Sequence, residues 1–159
     1  MKENKSKEKK YLELMPQLAA LIEGETDEIG VQANVTAELK EAFGFFWVGF
    51  YNVREGKTLR LGPFQGSSAC FSIPFGKGVC GTSWEKKETL VVPDVHEFPG
   101  HIACSSLSRS EIVIPIFDLS GEVRSVLDID SDLPDAFDDT DRLYLEMVAG
   151  LLTHCLYKE

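Results

Sequence analysis

The chain of 159 residues has no apolar run approaching the roughly 20 residues a membrane-spanning helix needs, which excludes such a span. It has no internal repeat, low-complexity tract or Pro/Gly/Ser-rich linker, so one domain is expected. It has no CxxC pair, which weakens a zinc-ribbon reading. Basic residues are scarce, with 16 Lys and Arg against 26 Asp and Glu, a net charge of −10. Five Lys and two Glu fall within the first ten residues, leaving 11 basic and 24 acidic residues in the other 149. An acidic body repels phosphate backbones, so nucleic acid is not an expected partner. The Lys-rich residues 1–10 read as a frayed start, with residues 11–159 as the folded domain. No apolar stretch follows that could form a signal peptide, because Leu18 to Ile22 is short and flanked by Gln17 and Glu23. A cytoplasmic location is expected.

What is present is an ordinary globular composition, 43% hydrophobic and 26% charged, with four cysteines: Cys70, Cys80, Cys104 and Cys155. In a reducing compartment these suggest chemistry or metal rather than a structural framework. The chain opens with helical patterning. Tyr11 to Ile22 reads as helical, with Pro16 suited to the first turn of a segment running to Ile22, and Thr26 is placed to cap a second helix. The stripe of that helix is Ile29, Ala33, Leu39, Ala42 and Phe43, with Gly44 ending it. Strand patterning follows at 45–53, 59–64, 70–75, 90–92, 111–117 and 123–129, interrupted by a Gly-rich bend and a short helix over 79–86. Asp138 and Asp141 stand at capping-box positions of a last helix, with Leu143, Met147 and Leu151 expected on its core side. The predicted class is α+β: an antiparallel meander of about six strands flanked by N- and C-terminal helices.

Alternation along the strands puts Trp47, Gly49 and Tyr51 on one face, suited to a small-molecule pocket, and Phe46, Val48 and Phe50 on the other. Glu111 shares a face with Val113, and Asp128 shares one with Asp130. Carboxylates on otherwise apolar strands are costly unless paired or functional; capping of the following turn is the plainer alternative for Asp130. Residues 94–110 form a long loop whose Ile102 and Ala103 argue for docking. Cys104 on it is a candidate nucleophile, and Cys155 on the last helix reads as a bystander. Two weaker readings share these segments. His96, His101 and Cys104 have poor spacing for zinc, and Gly76–Lys77–Gly78 lacks the phosphate-loop pattern.

Six blocks in order, FWVGFY (46–51), LGPFQG (61–66), IPFGKGVCG (73–81), DVHEFPGHIAC (94–104), SEIVIPI (110–116) and VLDIDS (126–131), resemble the free methionine-(R)-sulfoxide reductases, single-domain enzymes with a GAF fold. The resemblance implies a GAF-like catalytic domain over 11–159. It implies Cys104 as the catalytic cysteine, Cys70 as its disulfide partner and Cys80 as a third redox cysteine. It also implies Glu111, Asp128 and Asp130 as active-site carboxylates and Trp47 and Tyr51 as pocket aromatics. Ser105, Phe46 and Ser125 depart from the family's usual Asp, Asn and Gly at those places. The expected reaction is thiol-dependent reduction of free methionine sulfoxide through a cysteine sulfenic acid and a disulfide. No cofactor or metal is expected, and thioredoxin or a similar dithiol is the expected reductant. A homodimer is left open. The alternative is a non-enzymatic GAF-type sensor of a small ligand or of redox state.

Overall fold

The computed structural model describes residues 2–158. In chain order it forms α1 (Lys2–Ile22), α2 (Glu28–Phe43), β1 (Trp47–Arg54), β2 (Thr58–Gln65), β3 (Ser72–Pro74) and α3 (Gly78–Lys86). Then come β4 (Leu90–Val92), a single 3-10 turn (Val95–Glu97), β5 (Ser110–Phe117), β6 (Val123–Ser131) and α4 (Asp139–Leu156). The strands form one sheet in the order β3-β2-β1-β6-β5-β4, with every neighbouring pair antiparallel. The α+β class holds, but the sheet is not one continuous meander. Two three-stranded meanders are joined where β1 pairs with β6, Trp47 opposite Asp130 and Gly49 opposite Asp128.

The N-terminal end differs from expectation. Helix α1 starts at Lys2, so the segment expected to fray is helical, and Pro16 lies inside the helix rather than in its first turn. Tertiary contacts anchor this end: Lys7 Nζ donates to Asp141 Oδ2 at 2.7 Å, and Tyr11 Oη to Asp141 Oδ1 at 2.6 Å. Met1 and Glu159, the outer ends of the two expected segments, lie outside the described residues. The cap of α2 is Asp27 rather than Thr26, its carboxylate accepting from Gly30 N at 3.2 Å. Gly44 ends α2 in the left-handed conformation with φ 64°. Asp138 and Asp141 form the expected capping box of α4.

The two sheet faces carry two cores. Helices α1, α2 and α4 cover one face, packing Leu18, Leu39 and Leu145 against Phe50, Ile114 and Leu127. The buried side of α2 is Val31, Gln32, Val35, Thr36 and Leu39, with Ile29 exposed. On α4 it is Tyr144, Leu145, Val148, Ala149 and Leu152, with Leu143 and Met147 exposed. The opposite face packs Trp47, Tyr51, Val113 and Val126 against Val79, Cys80 and Trp84 of α3. Phe46, expected with Val48 and Phe50, packs on this second side.

Candidate active site

The second face holds a small cavity of about 40 Å³ between the sheet, the start of α3 and the loop after β4. Its walls include Trp47, Tyr51, Cys80, Cys104, Glu111, Asp128 and Asp130, so seven of the eight residues singled out from sequence meet there. The eighth, Cys70, is joined to Cys104 by a disulfide with a Cα separation of 5.4 Å. Its carbonyl accepts a hydrogen bond from Tyr51 Oη at 3.0 Å. Cys155 lies on the opposite side of the molecule, half-buried, its thiol directed at the Ile22 and Glu25 carbonyls.

Local backbone geometry places each group. Gly49 leaves the space that Trp47 and Phe64 fill, since a Cβ there would stand 2.6 Å from Trp47 Cη2. Gly66, at φ 137°, lies against the other end of the indole, and Trp47 Nε1 donates to Ser67 O at 2.9 Å. The aromatic wall is therefore fixed by glycines on either side. The Cys104 loop is tied at both ends, by Val95 N to Arg109 O at 2.9 Å and Arg109 N to Ser131 O at 2.7 Å. Ile102 packs against Gly78, whose φ of 64° suits glycine, and so seats the loop on the start of α3.

The carboxylates come from adjacent strands in register: Glu111 of β5 sits opposite Asp130 of β6, and Val113 opposite Asp128. Glu111 and Asp128 are buried, at 6% and 5% exposure. Burial, then the Asp128 and Asp130 charges, push Glu111 well above its ordinary value of 4.5. Burial likewise raises Asp130, with the Asp128 charge adding to it. Asp128 is raised by burial and eased by hydrogen bonds from Glu111 and Cys80. Asp128 Oδ1 is buried without a fixed donor. Protonated Glu111 and the Cys80 thiol are the groups able to supply one. Burial and these carboxylates also push the Cys80 thiol far up, which keeps it a thiol and a poor nucleophile.

Sequence reasoning missed part of the lining. His101, within the 94–110 loop, lines the cavity half-buried; burial, then the nearby His96, lowers its pKa from 6.5. Ser67, Ser68, Ala69, Ser105 and Ser108 also line the cavity. Ile102, already suspected of docking, was the one available signal for this wall. Among the described residues His96, His101 and Cys104 form no metal-sized cluster.

The sheet, its helices and this pocket define a GAF domain, and the model of the family described as GAF domain matches residues 25–156. GAF domain-containing protein A of Dictyostelium discoideum is 54% identical over 147 residues, 92% of each chain. The free methionine-R-sulfoxide reductase of Saccharomyces cerevisiae is 40% identical over 163 residues, 98% of this chain and 91% of that one. The X-ray structure of free methionine-R-sulfoxide reductase from Neisseria meningitidis in complex with its substrate matches with a TM-score of 0.88 at 53% identity, covering 91% of this chain and 86% of that one. The chain belongs to the GAF domain family and, within it, to the free methionine-R-sulfoxide reductases.

Proposed function

We propose that this chain reduces free L-methionine-(R)-sulfoxide to methionine with Cys104 as the attacking thiol. The observation that carries the reading is that Cys104, disulfide-bonded to Cys70, lines the same cavity as Glu111, Asp128 and Asp130. In the reduced protein the Cys104 thiolate attacks the sulfoxide sulfur while Glu111, holding its proton through burial, gives it to the departing oxygen. The protonated oxygen then passes from the methionine sulfur to the Cys104 sulfur as the bond between the two sulfurs breaks, so methionine leaves and Cys104 is the sulfenic acid. The Cys70 thiol then attacks the Cys104 sulfur, releasing water and closing the disulfide. Thioredoxin or a comparable low-potential dithiol reopens it, taking up the disulfide as its own oxidation. Cys80, protonated and buried, exchanges only as a minor partner.

Trp47 and Tyr51 hold the methylsulfinyl end, and Asp128 and Asp130 take the substrate ammonium through charge-assisted hydrogen bonds. A cytoplasmic setting fits a cycle that depends on a dithiol. A site that binds both ends of a free amino acid rejects amide-blocked substrates, because buried groups are left unpaired. With a thioredoxin regeneration system, turnover is expected on the free R epimer and far less on the S epimer or the N-acetylated compound. Cys104→Ser is expected to abolish turnover and Cys155→Ser to leave it near wild type. Equal rates on free and N-acetylated sulfoxide would sink the reading.

A further inference from the structure

We propose that the floor of this pocket is also a binding site for a thiophilic divalent cation such as Zn²⁺, held by Cys80 Sγ and one carboxylate oxygen each of Glu111 and Asp128. The three donor atoms lie within 4.8 Å of one another, and all three residues are buried. They come from three elements, α3, β5 and β6, whose backbones are locked by helix and ladder hydrogen bonds. Ligand atoms around a tetrahedral zinc stand roughly 3.3–3.8 Å apart, from its bond lengths of about 2.0–2.3 Å. The site therefore needs only a small inward movement of side chains.

A second observation points to a missing positive partner. Asp128 lines this cavity at 5% exposure, and its Oδ1 is buried without a hydrogen-bond partner. Such an oxygen is stabilised either by a proton borrowed from Glu111 or Cys80, or by a cation. Two carboxylates and a thiolate offset an ion's double charge in a low-dielectric setting, and binding displaces their protons to solvent. The thiolate selects the ion. Hard Mg²⁺ and Ca²⁺ prefer all-oxygen shells of six or more ligands, whereas zinc accepts one sulfur with two oxygens and leaves a fourth position open. The cavity is small, about 40 Å³, yet large enough for an ion and a water.

The consequence for turnover rests on the reading of Glu111 given above. A Glu111 carboxylate bound to a cation cannot deliver a proton, and the ion occupies the place of the substrate ammonium. Zinc is then a reversible inhibitor competing with the free sulfoxide.

The test uses the full chain carrying Cys155→Ser, with the Cys70–Cys104 disulfide closed, so that Cys80 is the single thiol. Titration with Co²⁺ is expected to give one ion per chain and a thiolate-to-cobalt charge-transfer band that Zn²⁺ displaces. Cys80→Ser should abolish the band, and Asp128→Asn should weaken uptake by about tenfold or more. Melting curves establish that each variant is folded, and Asp128→Asn decides alone if Cys80→Ser does not fold. In the reduced enzyme Zn²⁺ should raise the apparent KM for the sulfoxide, with full recovery on chelation. Absence of the band, or Co²⁺ uptake unchanged by these substitutions, overturns the site. A protein that reduces the sulfoxide in chelator yet takes up no Co²⁺ refutes the cation site alone. One that binds Co²⁺ but reduces no sulfoxide refutes the reductase reading alone.

Discussion

Glu111, the proposed proton donor, is the residue on which protonation, stability and chemistry meet. Its carboxyl keeps a proton above the ordinary 4.5 because burial and the charges of Asp128 and Asp130 disfavour the anion. Glu111→Gln keeps the shape and removes the acid, so single-turnover formation of the sulfenic acid should slow by roughly 10²–10⁴-fold. Stability gives a second readout with a definite sign. Between 4.5 and the raised native value the folded chain binds more protons than the unfolded one, so stability falls as pH rises through that window. Melting temperatures measured across that range should fall less steeply in Glu111→Gln, with Asp128 and Asp130 supplying the remaining slope. An unchanged slope would mean that Glu111 is ionised in the native state. The carboxylates themselves were legible in the sequence, as acidic residues on apolar strands. The approach of Cys80 to them was not, because it depends on how α3 lies across β5 and β6.

Among the elements, β1 carries the most constraint. Its alternation was readable, and it placed Trp47, Gly49 and Tyr51 on the pocket face as found. Its pairing with β6 was not readable, since that ladder joins residues about 80 positions apart, and no local pattern sets such a register. The helices were misread for a different reason. Periodicity alone allows neighbouring stripes, and in α4 the packing chose Leu145, Val148 and Leu152 over Leu143 and Met147. Pro16 signals a helix start by propensity, but packing of Tyr11, Leu14 and Leu18 onto the helical core carries α1 through it. On β1 the sharpest test is Gly49→Ala. The added methyl would collide with Phe64 Cβ and stand 2.6 Å from Trp47 Cη2, so the indole must move. A loss of about 1–3 kcal/mol in denaturant unfolding is expected, the usual cost of overpacking, together with a raised KM. Wild-type stability and KM would show that the Trp47 wall yields freely.

For the molecule as a whole, the sheet separates stability from chemistry. The helical face holds the larger core and none of the residues assigned to the reaction, whereas the α3 face holds all of those except the partly exposed Cys70. The N- and C-terminal helices close the helical side together. Asp141, at 1% exposure, completes the capping box of α4 and accepts from both Tyr11 and Lys7 of α1. A lesion on that side should therefore act through the folded population alone. Leu145 is fully buried on α4, and Leu145→Ala should cost about 2–5 kcal/mol through lost contacts and a cavity. Against a total of about 5–15 kcal/mol for an ordinary domain, that is a large fraction of the stability. The kcat/KM of the folded fraction should nevertheless stay at the wild-type value. Asp130→Asn on the opposite face should do the reverse, raising KM with a small change in melting temperature, because under the proposed reading it weakens the hold on the substrate ammonium and relieves a half-buried carboxyl. Urea unfolding paired with steady-state kinetics on both variants checks the division. A KM defect in Leu145→Ala that persists after correction for unfolded protein would show that the two cores communicate through the sheet.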